Sequence, residues 1–270
     1  MDFNITATEI RKSIVEMIYH SKSGHPGGSL SAVDILNYLY NKEMNIDPHN
    51  PKDPHRDRFV LSKGHAAPVL YATLAERGFF DKSLLSTLRK LDSPLQGHPD
   101  SKKVPGVDIS TGSLGQGVSN AVGIALGAKL DHSPVRVYTL LGDGELQEGL
   151  VWEAAMAAAH YKLDNLVVIV DNNGLQIDGK NEDVIDLGSV ADKFRSFDFN
   201  VIEIDGHDYE QIASAFDLAK TTKNVPTAII AKTVKGKGVS FMENEAGWHG
   251  IAPSADELAI ALKELSEVSE

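Results

Sequence analysis

The stretch Leu140–Gly149 is the most informative part of the sequence, and it reads Leu-Leu-Gly-Asp-Gly-Glu-Leu-Gln-Glu-Gly. The aliphatic and β-branched run at residues 135–141 predicts a buried strand that ends at Gly-Asp-Gly. Beyond Glu148, aliphatic residues and alanines recur every four positions, which predicts a helix. Asp143 is therefore expected at the carboxyl end of a strand and just before a helix. Open α/β sheets bind ligands at that edge, and helix N-termini favour anions.

A second apolar run, residues 166–170, ends in Asp171-Asn172-Asn173. Asn173 follows Asp143 by 30 residues, the length of one strand–helix–strand unit, so both side chains are expected at the same edge of a parallel sheet. One carboxylate and one amide carbonyl suit a hard cation such as magnesium or calcium that also keeps phosphate oxygens in its shell. The alternative is two ordinary turns that contain Asp and Asn.

Composition limits the classes of function. Lys and Arg number 26 against 38 Asp and Glu, which gives a net charge of −12 and argues against nucleic acid or an anionic membrane as a partner. The absence of cysteine excludes disulfides and thiolate chemistry. The N-terminus does not resemble a signal peptide, and no apolar run approaches the ~20 residues of a membrane span. A single α/β domain of a cytoplasmic enzyme is expected.

Local signals predict several helix boundaries. Thr6-x-x-Glu9 is typical of a capping box at the first helix, and Ser254-x-x-Glu257 of one at the last. A second helix is expected after the loop Ser23–Gly28, with Val33, Leu36, Leu39 and Tyr40 on its buried face.

The paired motifs carry a resemblance to a known family. Gly142-Asp143-Gly144 with Asn172-Asn173 resembles the fingerprint of thiamine diphosphate enzymes, and Gly-Asp-Gly-x-Leu-Gln-Glu-Gly is similar to its transketolase version. The resemblance implies a parallel β-sheet with helices on both faces, formed by residues 1–270 as a single diphosphate- and magnesium-binding domain. It covers almost the whole chain but only about half of a transketolase. The pyrimidine-binding and C-terminal domains are expected on a partner chain.

The same resemblance implies a ligand set for the metal. The ion would take the Asp143 carboxylate, the Asn173 side-chain oxygen and the Leu175 main-chain carbonyl, with diphosphate oxygens and water completing an octahedron. The implied cofactors are thiamine diphosphate and Mg²⁺, which Ca²⁺ or Mn²⁺ could replace. Gly144 is expected to allow close approach of the cofactor.

Further residues are expected around the diphosphate. By resemblance His65, at the corner between a short strand and a helix, contacts the diphosphate; the alternative is that it caps its own helix. Gly112, Ser113 and Leu114 are expected to line the diphosphate with main-chain groups, although the family usually has Pro where Ser113 stands.

Three more histidines are expected at the substrate. His25, His98 and His249 lie in loops and are flanked by Gly or Pro. Taken alone, such histidines are usually solvated. The resemblance implies that His25 touches the sugar, that His98 touches its reacting end, and that His249 contacts both diphosphate and substrate. Histidine charge changes near neutral pH, so these rings could donate to sugar oxygens and carry protons.

Two features leave alternatives open. Gly117, Gly123 and Gly127 lie inside one predicted helix and each costs about 1 kcal/mol relative to alanine, so either tight packing within the domain or a subunit interface is expected to offset them. Glu145 is interpreted as an ordinary acid of a first helical turn. Glu148 is either another acid of this helical turn or, by resemblance, the family glutamate at the contact between subunits.

The predicted function is that of the N-terminal subunit of a split transketolase, active only with a complementary C-terminal subunit in an α₂β₂ assembly. The reaction would be reversible transfer of a two-carbon ketol unit from a ketose phosphate to an aldose phosphate. The alternatives are a transketolase-like subunit whose substrate is a modified sugar, a deoxyxylulose-phosphate-synthase or 2-oxoacid-dehydrogenase type of half-enzyme, and a non-enzymatic regulatory half.

Overall fold

The computed structural model describes residues 2–267, and its centre is a five-stranded parallel sheet. The strands are β1 (Arg58–Leu61), β2 (Val137–Gly142), β3 (Leu166–Asn172), β4 (Leu175–Gln176), β5 (Gly179–Lys180), β6 (Asn200–Asp205) and β7 (Thr227–Lys232). The central sheet has the order β1-β2-β3-β7-β6, and all of its pairs are parallel. β4 and β5 form a separate antiparallel hairpin.

Helices connect the strands of this sheet. They are α1 (Phe3–Ser21), α2 (Pro26–Leu30), α3 (Val33–Tyr38), α4 (Ala67–Arg77), α5 (Gln116–Leu130), α6 (Gly149–His160), α7 (Asn181–Val184), α8 (Val190–Ser196), α9 (Tyr209–Thr221) and α10 (Ala255–Glu267). Short 3₁₀ turns occupy Gly64–Ala66, Lys82–Thr87, Gly144–Gln147 and Ala246–His249, and a π-helical turn spans Leu39–Glu43. No helix within residues 2–267 is long and apolar enough to cross a membrane.

The core lies on both faces of the sheet. Along β3, Val167 and Ile169 pack on one face with apolar residues of α1, α3, α4 and α9. Val168 and Val170 pack on the opposite face with residues of α5, α6 and α8. This alternation follows from the two-residue period of a strand, and burial on both faces explains why β3 is apolar from Leu166 to Val170. The predicted parallel sheet with helices on both faces is confirmed.

The carboxyl ends of the strands meet at one edge, which is where the site is built. Gly142 at the end of β2 is in register with Asp171 near the end of β3. The strand order reverses beyond β3, since β7 lies between β3 and β6. Loops diverge at such a switch point and leave a crevice for ligands.

The predicted capping box at the first helix is wrong. α1 begins at Phe3, and the carboxylate of Asp2 accepts hydrogen bonds from the main-chain N–H groups of Asn4 (2.9 Å) and Ile5 (3.4 Å). Thr6 lies inside the helix and its hydroxyl donates to the carbonyl of Asp2 (3.0 Å). At the last helix the prediction is confirmed, because Ser254 and Glu257 exchange hydrogen bonds.

The second predicted helix is present only in pieces, although the four residues assigned to its buried face are buried. α2 and α3 are separated at Ser31 and Ala32, and a π-helical turn follows α3. The Ser31 hydroxyl donates to the carboxylate of Asp171 (2.5 Å), which places the break above the end of β3. The interruption thus gives a buried carboxylate one of its hydrogen bonds.

Candidate functional site

Asp143 and Asn173 lie side by side at the ends of β2 and β3, as their spacing predicts. Asp143 is 3% exposed, and its carboxylate accepts hydrogen bonds from the N–H groups of Gly144 (2.8 Å) and Gly174 (2.5 Å). The Asn173 side-chain oxygen accepts from the N–H of Leu175 (3.0 Å). Burial, and after it the charge of Asp171, raises the pKa of Asp143. A divalent cation would offset this unfavourable environment.

The Leu175 main chain contacts Lys235, a residue that the sequence analysis did not identify. The main-chain carbonyl of Leu175 accepts a hydrogen bond from Lys235 Nζ (3.3 Å), and the second lone pair of that oxygen remains for another partner. Lys235 Nζ is also 3.1 Å from His249 Nδ1. Burial, and then the charge of Lys63, lowers the pKa of Lys235 to about 8. The sequence feature that could have indicated Lys235 was its position just after β7, at the ligand-binding edge of the sheet.

Three of the predicted histidines form one cluster. The ring centroids of His25, His65 and His249 are 5.2–5.3 Å apart in all three pairs. His98 lies on the neighbouring loop, and a Cβ placed on Gly112 would be 3.2 Å from its ring. The structure therefore brings the predicted histidines to one region of the sheet edge.

These histidines are neutral at neutral pH. Burial is the largest cause, and it lowers the pKa of His25 and of His249 to about 4. The pKa of His65 is lowered well below its ordinary value, and that of His98 is lowered too, in both cases mainly by burial. Nearby lysine and arginine charges act in the same direction on each ring. In the chain by itself the rings act as neutral donors and acceptors, not as groups that change charge near pH 7.

A second missed lysine lies beneath the cluster. Lys63 forms a buried ion pair with Asp171 and donates to the main-chain oxygen of Gly28 (2.7 Å). A Cβ on Gly28 would be 3.6 Å from Lys63 Nζ and 3.7 Å from His65 Nε2, so the glycine keeps the space above both groups open. Lys63 lies two residues beyond the end of β1, and this position at the ligand-binding edge was the sequence feature that could have indicated it.

A cavity of about 390 Å³ connects most of the predicted site. It is lined by both missed lysines and by eight of the predicted residues: His65, Gly112, Leu114, Asp143, Gly144, Asn173, Leu175 and His249. Ser113 is exposed to solvent. The cavity thus joins the proposed metal ligands to the histidine cluster.

Glu145 is not the ordinary helix-start acid that we expected. It is 2% exposed, and its carboxylate accepts hydrogen bonds from the Ser62 hydroxyl and from the N–H groups of Gly115 (2.9 Å) and Gly142 (3.0 Å). It therefore ties the end of β1, the loop before α5 and the end of β2 together. Nothing in its local sequence distinguishes it from Glu148, which is exposed.

The three glycines of α5 differ in how much space surrounds them. A Cβ on Gly117 would lie 2.6 Å from the Cα of Ser62, so packing within the domain requires glycine there. A Cβ on Gly123 or Gly127 would meet nothing within 4 Å. Packing within the described part of the chain therefore explains only the first of them.

The residues present fit a hard cation with an attached diphosphate. The donors are one carboxylate, one amide oxygen and one main-chain carbonyl, which are ligands that hard cations prefer. Elsewhere in residues 2–267, no group of three His, Cys, Asp or Glu side chains is arranged to hold a metal ion. Three buried polar atoms among these residues lack a hydrogen-bond partner and lie in this region: His25 Nδ1, Thr111 Oγ1 and Asn181 Oδ1. Asn181 shares a second cavity with Asp143 and Asn173.

Comparisons with known proteins agree with this geometry. The chain is 45% identical over 257 residues to one subunit of the apulose-4-phosphate transketolase of Phocaeicola vulgatus, a match that covers 95% of this chain and 91% of that protein. It is 45% identical over 267 residues to the 6-deoxy-6-sulfo-D-fructose transketolase subunit SqwG of a Clostridium species, covering 99% and 97%.

The fold is likewise that of a solved transketolase. The structure superimposes on transketolase from Campylobacter jejuni with a TM-score of 0.93 and 37% identity, over 98% of this chain but only 43% of that one. The family model described as transketolase, thiamine diphosphate binding domain, matches residues 4–266. The chain therefore belongs to the transketolase family and constitutes its thiamine diphosphate-binding domain.

Proposed function

We propose that this chain is the N-terminal subunit of a two-chain transketolase that moves a two-carbon ketol unit reversibly from a ketose phosphate to an aldose phosphate. One observation carries the proposal. The chain aligns from end to end with proteins named as transketolase subunits, but it spans only 43% of a one-chain transketolase. These relatives, together with the four-histidine set, favour ketol transfer over the deoxyxylulose-phosphate-synthase and 2-oxoacid-dehydrogenase alternatives.

The cofactor would be held by the groups around the cavity. Asp143, Asn173 and the Leu175 carbonyl would hold Mg²⁺, which Ca²⁺ or Mn²⁺ could replace, and Gly144 would let the diphosphate approach closely. His65, His249 and the main chain at residues 112–114 would contact the diphosphate. Lys235 adds positive charge at the same place, beside the Lys63–Asp171 ion pair. When bound, thiamine diphosphate supplies stabilisation for the negative charge that develops on carbon as the bond beside the sugar ketone breaks.

The remaining histidines would act on the sugar. His25 has a buried, unpartnered Nδ1, which would exchange a hydrogen bond with a sugar oxygen. His98 would contact the reacting end of the substrate, and His249 both the substrate and the diphosphate. Because these rings are neutral at pH 7, each offers one donor and one acceptor nitrogen and can pass a proton between sugar oxygens.

A partner chain would complete the site. The groups that grip and activate the cofactor's pyrimidine belong to the domains expected on the complementary chain, and an α₂β₂ assembly is proposed. The open space over Gly123 and Gly127 supports a subunit interface along α5. The assembly is proposed to be cytoplasmic, in keeping with its net charge of −12.

The sugars are proposed as a class. The two relatives described above are named for apulose 4-phosphate, a sugar phosphate, and for 6-deoxy-6-sulfo-D-fructose, a sulfonated sugar. A modified sugar with a phosphate or sulfonate end is therefore a second candidate substrate for this chain, beside the ordinary pentose phosphates.

The test uses the chain by itself and then mixed with its complementary subunit. Ketol transfer from xylulose 5-phosphate to ribose 5-phosphate would be assayed with thiamine diphosphate and Mg²⁺. We expect activity only in the mixture. If the pair assembles and binds cofactor but transfers nothing, the assay is repeated with apulose 4-phosphate and 6-deoxy-6-sulfo-D-fructose. Failure with all of them would contradict the proposed function.

A further inference from the structure

Asp34, a carboxylate on α3, holds two side chains that reach the segment carrying Lys235. Asp34 is 5% exposed, and its Oδ2 accepts a hydrogen bond from Arg11 Nη2 at 2.5 Å. The same oxygen lies 2.7 Å from Nδ1 of His207. A buried carboxylate with these two partners ties α1 and α3 to the loop before α9.

His207 connects Asp34 to the main chain just before Lys235. Its Nε2 lies 2.9 Å from the main-chain nitrogen of Val234. Because a main-chain N–H can only donate, Nε2 is the acceptor, and the proton of the ring is on Nδ1, where it is donated to Asp34. The carboxylate therefore selects the tautomer that can accept a hydrogen bond from Val234.

Arg11 contacts the main chain on the other side of Lys235. Its Nε donates to the carbonyl of Lys237 at 3.2 Å while Nη2 donates to Asp34. Burial raises the pKa of Asp34, but the charge of Arg11 and the hydrogen bonds from His207 and Arg11 lower it overall, so the carboxylate is ionised at neutral pH. Asp34 thus orients two side chains that hold the main chain before and after Lys235.

Two glycines allow the surroundings to pack closely on this segment. A Cβ on Gly206 would lie 2.6 Å from Cγ2 of Thr233, so glycine lets the loop before α9 lie against the segment. A Cβ on Gly27 would lie 2.9 Å from Cγ of Lys235, and the carbonyl of Gly27 accepts from the N–H of Gly236 at 3.0 Å. The main chain from which the lysine side chain departs is therefore held from several directions.

We propose that Asp34, acting through His207 and Arg11, positions Lys235 for the diphosphate of the cofactor. The inference rests on the proposed function and deepens it, because it adds three residues that shape the site without lining the cavity. Lys235 Nζ lies 3.3 Å from the carbonyl of Leu175, at the proposed metal site. Ordering a long lysine side chain costs conformational entropy, and a site that is ordered before the ligand arrives avoids that cost on binding.

The first comparison uses two substitutions of His207 that separate its two hydrogen bonds. An asparagine amide can place a donor near the position of Nδ1, so His207→Asn keeps the bond to Asp34 and loses the acceptor for Val234. A glutamine amide can place an acceptor near the position of Nε2, so His207→Gln keeps the bond to Val234. Calorimetry would measure the affinity of the assembled complex for thiamine diphosphate with Mg²⁺ in excess. We expect His207→Asn to weaken binding about 10-fold and His207→Gln to recover most of that loss.

The second comparison repeats the measurement in a complex that carries Lys235→Met. This substitution by itself should weaken binding about 10- to 100-fold, the loss expected for a hydrogen bond to a charged group. His207→Asn should then weaken binding by less than about twofold more, because no ammonium group is left to position. The matched control is Tyr209→Phe. Tyr209 donates to Oδ1 of Asp34 at 3.1 Å, so its loss should lower the urea midpoint but change the affinity less than about twofold.

Three results would overturn the inference. One is an equal loss from His207→Asn with and without Lys235→Met, which would assign His207 to structural support alone. The others are no loss from Lys235→Met, and a loss from Tyr209→Phe as large as that from His207→Asn.

Failure of the proposed function gives a different result. A wild-type complex that binds no thiamine diphosphate would contradict that function and the inference together, whereas binding with any of the three results above would contradict the inference alone. If the His207→Asn chain does not fold, the same measurements with Arg11→Lys decide the inference, because this variant keeps the charge beside Asp34 but lacks the Nε donor to Lys237. Equal losses with and without Lys235→Met would again refute it.

Discussion

The same substitution at two positions of α5 should have opposite effects on the stability of the chain. Gly117 lies in the first turn of α5, and a Cβ there would be 2.6 Å from the Cα and 2.7 Å from the Oγ of Ser62. Gly123 lies in the middle of the helix, and a Cβ there would meet nothing within 4 Å. Gly117→Ala and Gly123→Ala therefore form a matched pair in which only the surroundings differ.

The magnitudes follow from two opposing effects. Alanine improves intrinsic helix stability by about 1 kcal/mol in a helix interior, and by less in the first turn. Overpacking costs about 1–3 kcal/mol, and the upper end applies at Gly117 because the obstacle is main chain that cannot rotate away. We expect Gly117→Ala to lower the free energy of unfolding by about 2 kcal/mol and Gly123→Ala to raise it by about 1 kcal/mol.

Urea denaturation of the isolated chain measures both values, with an unchanged m-value showing that only stability has changed. A Gly117→Ala chain as stable as wild type would refute the close approach of α5 to the end of β1. The pair also tests the proposed interface. If Gly123 faces the partner, Gly123→Ala should weaken assembly while it stabilises the isolated chain. If assembly is unchanged, α5 is not the docking surface.

Three further predictions concern the site. Asp143→Ala should abolish Mg²⁺-dependent binding of thiamine diphosphate by the complex, and unchanged affinity in calorimetry would contradict the metal assignment. Glu145→Gln should lower the free energy of unfolding by about 1–3 kcal/mol, because an amide NH₂ then faces a group that needs an acceptor. The control is Glu148→Gln at an exposed position, and equal losses of stability in the two variants would contradict this reasoning. His25 and His249 have pKa values of about 4 in the folded chain against an ordinary 6.5, so the unfolded chain binds more protons between these values. Stability should therefore fall as pH is lowered from about 6.5 to 4, and urea midpoints that do not change over this range would contradict the assignment.

The sheet edge could be predicted because its signals are short-ranged. Strand periodicity located β2 and β3, and a 30-residue spacing is enough to place Asp143 beside Asn173. The helix caps show how far local signals reach. The Ser254–Glu257 pattern was correct, whereas Thr6-x-x-Glu9 was wrong because Asp2, nearer the N-terminus, satisfies the first N–H groups.

Contacts between distant parts of the chain could not be predicted in the same way. Glu145 looked like any acid in a first helical turn, but its partners come from three separate segments, and only the folded chain shows their convergence. The break between α2 and α3 depends on a carboxylate 140 residues away.

The two buried lysines connect the electrostatics of the chain to its proposed ligand. The chain carries a net charge of −12, yet both Lys63 and Lys235 are 1% exposed at the sheet edge. Lys63 is neutralised by Asp171, as a buried charge requires. Within residues 2–267 Lys235 has no carboxylate at ion-pair distance; its contacts are a carbonyl and a neutral imidazole, and its pKa is lowered to about 8. An anion beside Lys235 would stabilise its charged form and raise that pKa. Burial and then the charge of Lys63 lower the pKa of Lys235, and a diphosphate bound beside this lysine would offset both effects.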